Sequence, residues 1–215
     1  MIIAIDGSAA SGKGTLAKRM AAEFGYDYLD TGALYRAVAL SLLNAGADSS
    51  NIDEKQAVNA ASTLNILLTQ TAEIRTDKVA VLASIVAAIR PVRAELLSLQ
   101  RAFAAAPPSG RGAVLDGRDI GTIVLPDADF KFFIDADLDI RAKRRTKELL
   151  QAEQSVMFRD VLADMTARDN RDRTRLVAPL KAADDAITID TSKLDASAVL
   201  ALALSHIDRV CPSEQ

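Results

Sequence analysis

Residues 2–15 read I-I-A-I-D-G-S-A-A-S-G-K-G-T. Four apolar positions, a turn rich in glycine and serine, and then a long amphipathic stretch make a strand, a loop and a helix in immediate succession. Gly7 and Gly12 frame a loop in which the backbone amides of Ser8, Ala9, Ala10 and Ser11 can converge on an anion. Gly12 and Gly14 let the chain approach that anion without a Cβ in the way. The helix amino end adds its partial positive charge. Lys13 is placed to reach the outer phosphates of a nucleoside triphosphate, and Thr15 to hold the Mg²⁺ that such phosphates carry. The strict form of this motif has Ser or Thr directly after the lysine, whereas here Gly14 intervenes.

The pattern outward from this loop repeats its alternation. Strands are expected at Ile2–Ile5, Tyr26–Leu29, Ala113–Leu115, Phe130–Ile134 and Ala186–Asp190, with a weaker candidate at Asn65–Leu68. Helices are expected at Lys13–Phe24, Thr31–Leu43 with Thr31 as its cap, Ile52–Ala61, Thr76–Ile89, Val92–Ala105 beyond Pro91, Leu138–Gln151 and Ser155–Arg168, with a final one capped by Asp195. Short strands alternating with helices predict an α/β domain with a parallel sheet covered on both faces. Ligands of such sheets bind beyond the carboxyl ends of the strands.

The whole chain bounds the function. It has 215 residues, 49% of them hydrophobic and 26% charged, and a formal net charge of −3. An acidic total offers no general attraction to nucleic acid or anionic membrane, so any anion site must be built locally. There is one histidine, His206, and one cysteine, Cys211. They exclude a histidine-cluster metal site and an intrachain disulfide, and both read as bystanders. The longest apolar stretch, Val79–Ile89, is too short to span a bilayer. The opening residues lack a signal-peptide pattern, and the expectation is a cytoplasmic monomer.

Arginines accumulate where a site would lie: Arg36, Arg93, Arg118 and the run R-D-N-R-D-R-T-R at 168–175. Taken alone, the run is either solvated surface or a clamp for phosphate. A switch protein or simple hydrolase needs few arginines, and no N-K-x-D guanine motif occurs. Two phosphorylated ligands need many.

With these residues in view, the chain resembles the bacterial cytidylate (CMP) kinases. The carrying stretches are I-D-G-S-A-A-S-G-K-G-T (5–15), Y-L-D-T-G-A-L-Y-R-A (28–37), L-D-G-R-D-I-G-T-I-V-L-P-D-A (115–128) and R-D-N-R-D-R-T-R-L-V-A-P-L (168–180). The resemblance implies a P-loop kinase fold with a five-stranded parallel core (about 1–30, 106–147 and 176–215), a monophosphate-binding region (about 31–105) and a lid (about 148–175). It implies ATP with Mg²⁺ as phosphoryl donor and CMP or dCMP as acceptor. Thr31, Tyr35 and Arg36 would meet the acceptor's sugar and phosphate. Asp116 would organise the Mg²⁺, Arg118 would bind acceptor phosphate, and Asp119 would read the cytosine amine, with Ser84 and Arg93 as further base contacts. In the charged run, Arg168, Asp172 and Arg175 would serve the acceptor, and Arg171 and Arg173, with Arg145, the donor phosphates. Lys13, Arg118, Arg171 and Arg175 would carry the transfer. The monophosphate region passes quickly from Leu64 to Arg75, a reduced form of the insert in longer members. A sister kinase acting on AMP, UMP or a non-nucleotide acceptor, and a non-catalytic nucleotide-binding switch, stay open at this stage.

Overall fold

A computed structural model describes residues 1–48 and 51–210; Cys211 lies outside the described residues. Five strands form one parallel sheet: β1 (Ile2–Gly7), β2 (Asp27–Asp30), β3 (Ala113–Gly117), β4 (Phe130–Asp135) and β5 (Ile187–Asp190), in the order β2-β3-β1-β4-β5. Parallel register aligns their carboxyl ends, with Asp30 opposite Asp116, Gly7 opposite Ile134 and Asp135 opposite Asp190. Acid-terminated strands therefore deliver their carboxylates to one edge of the sheet.

Side chains alternate across a strand, so β1 feeds two layers. Ile3 and Ile5 pack with Leu16 and Met20 of α1 (Lys13–Phe24) and with Val199 and Ile207 of α8 (Ala196–Val210). Ala4, between them, faces Leu115, Ile120 and Ala104 on the opposite side. A second body of helices buries its own core: α2 (Thr31–Asn44), α3 (Glu54–Ser62), α4 (Asp77–Val86) and α5 (Arg90–Ala105) bring together Leu34, Val38, Leu82, Val86 and Leu96. The hairpin of α6 (Leu138–Gln151) and α7 (Phe158–Thr174) closes a small cluster of Ala142, Leu149, Val161 and Met165, against which Ala9 and Ala10 of the phosphate loop pack.

The structure departs from the sequence reading at several edges. Asn65–Leu68 is no strand: Asn65 Oδ1 accepts from the Leu67 amide at 3.1 Å and starts a 3₁₀ turn over Ile66–Gln70. The cap of α2 is Asp30, whose carboxylate accepts from the Ala33 amide at 3.0 Å, and Thr31 is the first helical residue. α5 begins at Arg90 and holds Pro91 in its first turn, where a missing N–H costs no helical bond. α7 starts later than Ser155 and runs to Thr174, so the charged run is helical almost to its end.

Candidate active site

The phosphate loop is shaped by what lies behind it. A Cβ on Gly7 would stand 2.0 Å from the Ile134 carbonyl oxygen, so only glycine lets β1 leave the sheet here. Gly12 precedes α1 in the left-handed region at φ 94°. Outward carbonyls are tied down: Arg141 Nη1 donates to Ala9 O at 3.3 Å and Thr191 Oγ1 to Ser11 O at 2.8 Å. Ser8 and Ser11 are fully buried, and Ser11 Oγ has no hydrogen-bond partner. The first amides of α1, at Lys13, Gly14 and Thr15, have no acceptor within the helix. Lys13 Nζ reaches back to Ser8 O at 3.4 Å. Burial, aided by the neighbouring Arg118 charge, pushes its ammonium down to about 7.

Opposite the loop, Asp116 is 4% exposed. Burial raises its carboxyl, with Lys13 opposing. Its Oδ1 accepts from the Tyr28 hydroxyl at 2.7 Å, and Oδ2 lies 3.6 Å from where a Gly14 Cβ would be. One carboxylate oxygen is thus fixed from behind while the other stands beside the start of α1, near exposed Thr15. Thr31 is buried and its hydroxyl donates to Asp116 O at 2.8 Å, so it steadies the same strand end.

A cavity of about 330 Å³ opens between these groups, lined among others by Lys13, Thr15, Thr31, Tyr35, Arg36 and Ser84 and by Arg93, Asp116, Arg118, Asp119, Arg168, Asp172 and Arg175. An adjoining cavity of about 220 Å³ shares Lys13, Arg36, Arg118 and Arg168 and adds Arg145 and Arg171. The guanidinium groups are held apart by carboxylates. Arg36 Nη2 donates to Asp30 Oδ2 at 2.7 Å and Arg118 Nε to Asp172 Oδ2 at 3.0 Å. Arg93 pairs with Asp119, donates to Ala87 O at 3.1 Å and lies 5.5 Å from the Tyr35 ring centroid. Burial alone would raise Asp172, but Arg118 and Arg168 outweigh it and hold its carboxyl below the usual range. Arg168 is driven down to about 10 by burial and by Arg118. Among the described residues, three buried guanidinium N–H groups make no hydrogen bond: Arg36 Nε, Arg168 Nε and Arg175 Nη2.

Arg168, Arg171 and Asp172 share one face of α7, and Arg173 points away from it. Arg168, Asp172 and Arg175 line the larger cavity. Arg171 Nε donates to Ser84 Oγ at 3.4 Å and lines the smaller one. Arg173 instead reaches the phosphate loop, donating to Ser8 Oγ at 3.4 Å and Asp135 Oδ2 at 2.9 Å. Arg145 is paired with Asp77 of α4 at 2.7 Å. Sequence reasoning missed Tyr28, Asp30 and Asp6. Asp6 and Asp30 share with Asp116 a place at or beside the end of a strand, a cue that marks the sheet edge but not the partner each residue meets there.

Residues 3–209 match a family model described as cytidylate kinase. A cytidylate kinase of Paramagnetospirillum magneticum is 53% identical over 206 residues, covering 96% of this chain and 97% of the relative. One from Rhodopseudomonas palustris is 50% identical, covering 100% and 99%. Among solved structures, an uncharacterized protein from Eubacterium ventriosum superimposes with a TM-score of 0.57 at 17% identity, covering 97% of this chain and 98% of that one. A gluconokinase from Sinorhizobium meliloti gives 0.50 at 14% identity, over 97% and 91%. These two likenesses concern the fold alone.

Proposed function

The chain belongs to the cytidylate kinase family, and from that premise we propose that it transfers the γ-phosphoryl group of ATP to CMP, and to dCMP, giving ADP and the nucleoside diphosphate. The observation that carries the reading is a set of three buried guanidinium N–H groups that make no hydrogen bond, on Arg36, Arg168 and Arg175, around one cavity beside the phosphate loop. Buried donors without acceptors are costly, and an acceptor phosphate satisfies them together.

In this reading the phosphate loop and Lys13 hold the donor's outer phosphates, with Arg171, Arg173 and Arg145 closing over them. A groove of about 280 Å³ beyond the loop, lined by Ser11, Thr15, Arg144, Thr191 and Leu194, takes the donor nucleoside. Thr15 and the free oxygen of Asp116 suit Mg²⁺, which keeps several waters and needs few protein ligands; when bound it neutralises charge on the donor phosphates. Arg36, Arg118, Arg168 and Arg175 bind the acceptor phosphate. Asp172, Thr31 and Tyr35 face its sugar, and Asp119, with Ser84 and Arg93, its base. Helices α2 to α5 then form the monophosphate region, and the last turn of α6 with α7, about 148–175, the lid.

An acceptor phosphate oxygen attacks the γ-phosphorus in line as the bond to the β-phosphate oxygen breaks, and ADP leaves with the electron pair. The second pKa of a phosphate monoester is about 6, so the attacking oxygen is already ionised and no general base is required. Alignment and charge neutralisation supply the rate, and a closed lid keeps water from taking the acceptor's place. Asp119 accepts from the cytosine amine, whereas uracil would set a carbonyl against it. A coupled assay with ATP and CMP, dCMP, UMP or AMP tests the reading. CMP and dCMP are expected to be preferred, and a preference for UMP or AMP would overturn it.

A further inference from the structure

Asp6 is the last side chain of β1 before the phosphate loop, 4% exposed, and lines neither cavity. Its two oxygens are fully committed: Oδ1 accepts from the Ile120 amide at 2.8 Å and Oδ2 from the Gly121 amide at 2.8 Å. The Ile120 N–H belongs to the peptide that follows Asp119. The carbonyl of that same peptide accepts from the Ile123 amide at 2.9 Å and the Val124 amide at 3.1 Å, opening a π-helical turn over Ile120–Val124. Both polar atoms of the Asp119–Ile120 peptide are therefore held, the N–H of Ile120 by a carboxylate 114 residues earlier in the chain. Asp119 sits at φ −147° and ψ 25°, outside helix and strand, and the orientation of this peptide fixes that ψ. The turn also leaves little room to adjust, since a Cβ on Gly121 would stand 3.5 Å from Asp6 Oδ2 and 3.1 Å from Lys131 Cδ.

We infer that Asp6 is a positioning residue for base recognition: it clamps the Asp119–Ile120–Gly121 backbone so that the Asp119 carboxylate faces the acceptor base. The inference rests on the reading of Asp119 given above. Burial of the carboxylate is tolerated here because two amides, aimed from one tight turn, donate to it. Asparagine cannot replace it, since its NH₂ would face one of the two N–H donors. The turn would then rotate to relieve that contact, and Asp119 with it.

The test is the ratio of kcat/KM for CMP over UMP, measured for the wild type, Asp6→Asn, Asp119→Ala and the double variant. The ratio cancels the concentration of active enzyme, so it is readable from a preparation folded only in part, and Asp6→Ser gives a second reading. Asp6→Asn is expected to lower the ratio about tenfold, equivalent to about 1.4 kcal/mol, with the KM for ATP within about twofold of wild type. The double variant is expected to discriminate no less than Asp119→Ala alone, because coupled residues are not additive. An unchanged ratio in Asp6→Asn, with Asp119→Ala impaired, overturns the inference. So does a parallel rise in the KM for ATP, which would place the effect on the phosphate loop. An unchanged ratio in Asp119→Ala instead removes the base-reading assignment itself.

Discussion

Arg118 Nε donates to Asp172 Oδ2 at 3.0 Å, joining the loop after β3 to the carboxyl half of α7 across 54 residues of sequence. The other oxygen of Asp172 accepts from Ser84 Oγ on α4 at 3.2 Å. Three segments thus meet on one carboxylate, which is also the counter-charge for Arg168 at 3.9 Å. In the free protein Asp172 occupies the electrostatic position that an acceptor phosphate would share.

Removing that counter-charge should therefore harm the free protein more than the complex. Asp172→Asn leaves buried guanidinium groups without compensation, a loss on the order of 3–5 kcal/mol for a broken buried pair. The expected result is a lower melting temperature in buffer, with a larger upward shift on adding CMP than the wild type shows. The pH dependence follows from the depressed carboxyl. Its stabilisation is full above the unfolded value near 3.8 and is lost as pH falls through the lower folded value. Asp172→Asn should lack this acid-side loss; identical acid melting of both proteins would count against the pair.

Lys13 gives a prediction for the donor. With its ammonium pushed down to about 7 in the free site, much of it is neutral in mild base. Phosphate oxygens favour the charged form and pull the value back up. ATP binding should therefore take up close to one proton at about pH 8, about half of one near pH 7, and little in weak acid. Calorimetry in buffers of different ionisation enthalpy reads this directly. In Lys13→Ala the uptake and the transfer should both vanish while the fold survives.

Asp119 and Arg93 form a buried pair, their side chains 6% and 9% exposed. Asp119→Ala should lower the preference for CMP over UMP by at least about 10²-fold, because a site built around one hydrogen bond rejects the analogue that cannot make it. It should also reduce stability through the stranded Arg93. Asp119→Asn separates the effects: the amide presents a donor, so UMP should gain relative to CMP while the volume is kept. Kinetics with both acceptors, alongside melting curves, check the two outcomes independently.

Much of this was legible in the chain because local chemistry and fold agree. The phosphate loop needs its glycines where Ile134 crowds Gly7, and strands ending in acids at Asp116 and Asp135 pointed to the carboxyl edge of the sheet. What escaped was long-range. Nothing local distinguishes Asp6 or Tyr28 from other strand-end residues; their partners, Ile120 and Asp116, lie 114 and 88 positions away. Short-range competition also misled: Asp30 outcompetes Thr31 for the cap because Thr31 gives its hydroxyl to the Asp116 carbonyl. The run at 168–175 was ambiguous for a related reason, since helical periodicity sends neighbouring arginines to different sides.

That division makes Arg175 the sharpest test of the run. Its side chain is 7% exposed, Nε donates to Ala178 O at 2.6 Å, and Nη2 lies 3.8 Å from Asp119 Oδ1 with no hydrogen bond of its own. Burial, with Arg93 nearby, lowers its pKa, a cost that a phosphate in the cavity would relieve. Arg175→Ala should therefore reduce kcat by about 10³-fold or more, the scale of an arginine that neutralises charge during phosphoryl transfer. Lysine should rescue little, because a point charge does not reproduce the planar fork. Arg159, paired with Asp160 in solvent at the start of α7, supplies the contrast. Its replacement by alanine should leave both kcat and melting temperature unchanged, as exposed pairs contribute about 0–1 kcal/mol. Equal behaviour of the two variants in the coupled assay would return the whole run to solvated surface.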